Sequence, residues 1–128
     1  MSNYKTMRQM YPDDTEQNTD LILDIQSNEQ LQEILNRFPI VVVDVWAPFC
    51  NPCRMLTPKY MELAQRYKIY IENGQIAFLK DNIEQNEDIH RPLVSVIPTF
   101  FIYINGQRKT VEKFSDIDGI LQNLINQS

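Results

Sequence analysis

Residues 40–46 read Ile-Val-Val-Val-Asp-Val-Trp. Ile40, Val41, Val42, Val43 and Val45 are β-branched, stiff at χ1 and suited to a pleated strand. The run does not alternate with polar residues, which is the pattern of a strand buried on both faces. Such a strand needs cover above and below. It therefore commits the chain to a layered fold, with the sheet in the middle. Asp44 interrupts the run. A carboxylate in a buried strand is costly unless it is paired or neutral, so either Asp44 lies on an exposed face or it has a task.

The flanking sequence supplies the cover. "DLILDI", from Asp20, reads as a short strand. Ser27 with Gln30 forms a capping box for a helix through about Phe38, with Leu31, Ile34 and Leu35 on one face. A second helix is expected from near Cys50 to about Ile71, kinked at Pro58. "ENGQ" is a turn and "IAFLK" a strand. The polar stretch Asn82 to Arg91 is expected to hold a short helix. "TFFIYI" and "QRKTVEKF" flank Asn105-Gly106, a strong hairpin signal. Ser115 with Asp118 is read as starting a last helix, Ile117 to Ile125. The order is β-α-β-α-β-α-β-β-α. Early alternation favours parallel strands with right-handed crossovers, and the hairpin must be antiparallel. The expected fold class is α/β: a mixed central sheet between helices, in three layers. One domain is expected over residues 20–128. Residues 1–19 read as an N-terminal arm, disordered or a short helix with Tyr4, Met7 and Tyr11 on one side.

Composition narrows the function. The 128 residues carry a net charge of −5 and a hydrophobic content of 43%. That is an ordinary globular balance with no electrostatic reason to bind nucleic acid or an anionic membrane. No apolar run approaches a membrane span, and the first twenty residues lack the apolar segment of a secretory signal. A cytoplasmic setting is the expectation, where a cysteine pair is more often catalytic or metal-binding than structural.

The chain's two cysteines, Cys50 and Cys53, stand in "WAPFCNPCR". A structural zinc site needs about four ligands. The single histidine, His90, reads as an exposed loop residue, so no metal is expected. A staple is also a weak reading, because a loop of so few residues removes little chain entropy. Redox chemistry fits better. Pro52 has no donor to waste in a first helical turn, which puts Cys50 at the helix N-terminus. Unpaired N–H groups and the helix dipole favour its thiolate there, and the thiolate is the nucleophile. Cys53, one turn on, is placed to resolve a mixed disulfide by attacking the sulfur of Cys50. Arg54 adds a nearby positive charge.

"VVVDVWAPFCNPCRMLTP" followed by "VSVIPTFFIYINGQ" resembles the thioredoxin family over about residues 20–127. The resemblance implies the thioredoxin fold and a protein-disulfide oxidoreductase that reduces substrate disulfides through Cys50 and Cys53. It implies that Asp44 lies buried behind Cys53 and moves its proton, with Lys80 as a possible modulator. It implies that Trp46 packs on the redox loop, and that Phe49 is partly exposed to substrate alongside Asn51 and Pro52. Pro98 matches a cis-proline whose neighbour, Ile97, pairs its backbone with an extended substrate. It further implies a flavin-dependent thioredoxin reductase as electron donor, protein disulfides as substrates, a monomer, and no cofactor on the chain. A disulfide oxidase or isomerase, or a non-catalytic interaction module, are the alternatives. Departures are Asn51, where glycine is usual, and missing glycines before the Ile97-Pro98 loop and around "VEKFS". The amide of Asn51 is expected to reach the sulfur of Cys50 and stabilise its thiolate.

Overall fold

A computed structural model describes residues 21–127. The expectation for the N-terminal arm falls outside those residues. Among the described residues the elements are β1 (Ile22–Asp24), α1 (Asn28–Arg37), β2 (Ile40–Trp46), α2 (Asn51–Arg66), α3 (Lys68–Glu72), β3 (Ile76–Asn82), β4 (Thr99–Ile104), β5 (Gln107–Val111) and α4 (Ile117–Asn126). The strands form one five-stranded sheet in the order β1-β3-β2-β4-β5. β3 pairs parallel with β1 and β2, while β4 pairs antiparallel with β2 and β5. The sheet is mixed, as the alternation and the hairpin require.

β2 is central and its middle five residues are buried. Its side chains alternate between two cores. Val42 joins Phe78, Phe100 and Ile102 under Tyr60 and Leu63 of α2, Tyr67 just past its end, and Ile117 and Leu121 of α4. Val41, Val43 and Val45 join Leu79, Phe101 and Tyr103 under Leu31 and Ile34 of α1. Three layers result.

Local signals set most of the boundaries. Ser27 Oγ accepts the N–H of Gln30 at 3.1 Å, and Gln30 Oε1 accepts the N–H of Gln26 at 2.7 Å, one residue before the usual capping-box donor. The hairpin turns on Asn105 (φ 50°) and Gly106 (φ 84°), both left-handed as a type I′ turn demands. Pro58 lies inside α2 without ending it.

Three expectations about helices need correction. The second helix does not run to Ile71; the chain breaks at Tyr67, and α3 follows separately. The Tyr67 ring is buried beside Phe78 and its hydroxyl bonds Asp118, and this anchoring fixes the turn of chain there. The Asn82–Arg91 stretch is a series of turns, followed by a 3₁₀ turn at Arg91–Leu93. Ser115 does not cap the last helix. It lies in a 3₁₀ turn, Phe114–Asp116, and Asp118 is engaged by Tyr67 and Arg66. Among the described residues no helix is long and apolar enough to cross a membrane.

Candidate active site

β2 ends at Trp46, and a short turn carries the chain into α2. The N–H of Cys50 donates to the carbonyl of Ala47 at 3.1 Å, closing that turn. Cys50 is the N-cap of α2, and its sulfur accepts the N–H of Cys53 at 3.2 Å. A helix start leaves such N–H groups unsatisfied, and here the sulfur takes one. Pro52 occupies the first turn, where its missing donor is harmless. Cys50 and Cys53 form a disulfide with 5.3 Å between Cα atoms. Cys50 keeps 9% exposure against 1% for Cys53, so an incoming sulfur meets Cys50 first. Asn51 and Pro52 are exposed at the same end. In this disulfide form the hydrogen bond at the Cys50 sulfur comes from the backbone of Cys53.

The second part of the site comes from the approach to β4. The register pairs Val45 with Thr99, so Pro98 lies at the end of β2 from which the cysteine loop departs. The Ile97–Pro98 peptide bond is cis. The carbonyl oxygen of Ile97 lies 3.9 Å from Cys50 Sγ. Thr99 Oγ1 donates to the carbonyl of Val96 at 2.7 Å and fixes this turn. Phe49 and Val96 are 70% and 67% exposed, beside Cys50 and Ile97 in the chain, and Met55 and Leu93 are exposed as well. Met55, Leu93 and Val96 were not singled out from sequence. Their signal was an apolar residue within a few positions of each half of the site.

Asp44 sits two residues before Trp46 on the same face of β2, 1% exposed. Its Oδ1 has no hydrogen-bond partner. Burial raises its pKa from 3.8 to about 7; Lys80 opposes the shift and Asp24 adds to it. Lys80, paired with Asp44 in the sheet, places its Nζ 3.9 Å from the centre of the Trp46 ring, a cation–π contact. Trp46 is half-buried, and its indole N–H has no partner. Tyr60, from α2, donates its hydroxyl to the Leu79 carbonyl at 2.8 Å, near the same carboxyl.

His90 is not an exposed loop residue. It is fully buried on the opposite face of the sheet. Its Nδ1 lies 2.7 Å from Asp81 Oδ2 and its Nε2 lies 2.8 Å from the Tyr103 hydroxyl. Asp81 also accepts the N–H of His90 at 3.1 Å and the amide of Asn86 at 2.9 Å. This network ties the connection between β3 and β4 to both strands. Among the described residues no group of three or more His, Cys, Asp or Glu could hold a metal ion.

The thioredoxin family model matches residues 22–126. Thioredoxin 1 of Nostoc sp. is 38% identical over 78 residues, covering 60% of this chain and 68% of that protein. Thioredoxin of Rickettsia felis is 34% identical over 98 residues, covering 76% of this chain and 89% of that protein. Oxidised mitochondrial thioredoxin 3 of Saccharomyces cerevisiae superposes with a TM-score of 0.68 at 21% identity, covering 80% of this chain and 94% of that one. That likeness speaks for the fold. The family match spans nearly all the described residues and takes in the cysteine pair, the cis-proline and the hairpin: the chain belongs to the thioredoxin family and is a thiol–disulfide oxidoreductase.

Proposed function

We propose that the chain works as a reductase of protein disulfides, with Cys50 as attacking sulfur and Cys53 as resolving sulfur. The Cys50 thiolate attacks one sulfur of a substrate disulfide, and the other substrate sulfur leaves as a thiolate. Cys53 then loses its proton to Asp44 and attacks the sulfur of Cys50. The second substrate thiolate leaves, Cys50–Cys53 is oxidised, and two electrons have passed to the substrate. During the mixed disulfide the backbone at Ile97 pairs with an extended segment of substrate next to Pro98. Trp46, Phe49, Asn51 and Pro52 form the contact surface around the attacking sulfur. The chain acts as a monomer in the cytoplasm, carries no cofactor of its own, and is returned to the dithiol by thioredoxin reductase.

The observation that carries this reading is the asymmetry of the pair: one cysteine 9% exposed at a helix N-terminus, the other sealed at 1% one turn inward. The test is insulin reduction with dithiothreitol as electron source. Turnover by the wild type and its loss in Cys50→Ser support the reading; equal turnover in both contradicts it. Equilibration with glutathione then gives the direction. A potential well below that of glutathione fits a reductase, and one above it fits an oxidase or isomerase.

A further inference from the structure

The last residue of the edge strand β1, Asp24, pairs with Lys80 of β3, and Lys80 pairs on its other side with Asp44 of β2. Paired positions on neighbouring parallel strands share a face, so one row across the sheet reads carboxylate, ammonium, carboxylate. Two strand intervals, about 10 Å, separate its ends. The two carboxylates differ in access. Asp44 is sealed in the interior, whereas Asp24 is half-buried and lines a cavity of about 200 Å³ with Trp46, Asn82 and Gln85. The Lys80 ammonium lies over the Trp46 ring, and that ring belongs to the same cavity. Asp44 Oδ1 has no hydrogen-bond partner, so the ammonium does not bond this oxygen.

Tyr60 faces Asp44 from α2, held protonated by burial and by the negative charge of Asp44. Cys53 is buried at the head of the same helix. On the β4 side the row continues with the uncharged Phe100. The Lys80 ammonium thus stands in one row with both carboxylates.

We propose that Asp24 is a positioning residue of the redox site: it shares Lys80 with Asp44, draws the ammonium toward the Trp46 cavity, and so leaves Asp44 able to gain and lose a proton during exchange. This rests on the reading of Asp44 as the proton carrier. The direction is consistent with the electrostatics, since the negative charge of Asp24 adds to the upward shift of Asp44 while Lys80 opposes it.

The experiment is a carbon-13 carboxyl titration of Asp44 in the oxidised protein, for wild type, Asp24→Asn and Asp24→Glu. Removing a charge about 10 Å away, in a partly wet region, lowers the Asp44 midpoint by about half a unit to one unit. Asp24→Glu keeps the wild-type midpoint, which a merely structural role for the aspartate would not require. The pH profile of mixed-disulfide resolution by Cys53 moves downward with the midpoint in Asp24→Asn. An unchanged or raised midpoint in Asp24→Asn overturns the proposal. A shifted midpoint together with wild-type resolution by Asp44→Asn keeps the coupling but removes Asp44 as proton carrier. A wild-type Asp44 midpoint near the ordinary carboxylate range overturns both.

Discussion

The carbonyl oxygen of Ile97 lies 3.9 Å from the sulfur of Cys50, although 47 residues of chain separate them. Antiparallel pairing of β2 with β4 makes this approach, because it sets the start of one strand beside the end of the other. A backbone carbonyl beside the reacting sulfur can hold a peptide in register while chemistry occurs. Exposed apolar side chains lie next to both partners in the chain, Phe49 and Val96.

A first prediction concerns those two side chains. They offer apolar area to a polypeptide but little to a small disulfide. Phe49→Ser and Val96→Ser should each raise KM for insulin several-fold. The rate with a small aromatic disulfide should stay near that of the wild type. Parallel losses on both substrates would mean that the changes disturb the cysteines and not docking.

A second prediction follows from the buried carboxyl. Asp44 holds its proton more tightly when folded (about 7) than when unfolded (near 3.8). Between these values the folded state binds more protons, so stability falls as pH rises through that window and levels off above it. With 1.36 kcal/mol per pKa unit, the loss is at most about 4 kcal/mol. Asp44→Asn should fold, lack this loss, and be more stable than wild type at pH 8, while exchanging disulfides more slowly. Urea unfolding of the oxidised proteins from pH 4 to 8 measures it. Parallel pH profiles for the two proteins would contradict the burial argument.

A third prediction contrasts a buried polar contact with an exposed ion pair. His90 and Asp81 are fully buried and bonded at 2.7 Å, whereas Arg66 and Asp118 meet at 2.9 Å with side chains 54% and 42% exposed. Removing one partner of a buried hydrogen bond strands the other, at a cost of about 1–3 kcal/mol, and losing the ring leaves a cavity besides. Removing an exposed partner costs below about 1 kcal/mol. His90→Ala should therefore destabilise far more than Arg66→Ala in denaturant unfolding. Equal losses would show that the His90 network carries no such weight.

These residues also show where the sequence was legible. The strand at 40–46 declared itself by its β-branched run, the hairpin by Asn105-Gly106, and the first helix by Ser27 and Gln30, because each signal is local. Cys50 and Cys53 carry their helix position in the proline between them. His90 was misread because its surroundings are not local: Asp81 lies on β3 and Tyr103 on β4, and neither marks a neighbouring histidine as interior. Tyr67 was read as mid-helix for the same reason, since its partners Phe78 and Asp118 come from elsewhere in the chain. The row from Asp24 through Lys80 to Asp44 needed strand register, and periodicity within one strand cannot supply it.

The central claim is the division of labour between the two sulfurs, and trapping tests it most directly. Cys53→Ser leaves an attacking sulfur with nothing to release its mixed disulfide. Cys50→Ser leaves a sulfur sealed at 1% exposure. Each variant is incubated with a disulfide-containing protein, and the covalent complex is quantified on a non-reducing gel. Strong trapping by Cys53→Ser and little by Cys50→Ser is the predicted result. Equal trapping, or more by Cys50→Ser, would contradict the assignment.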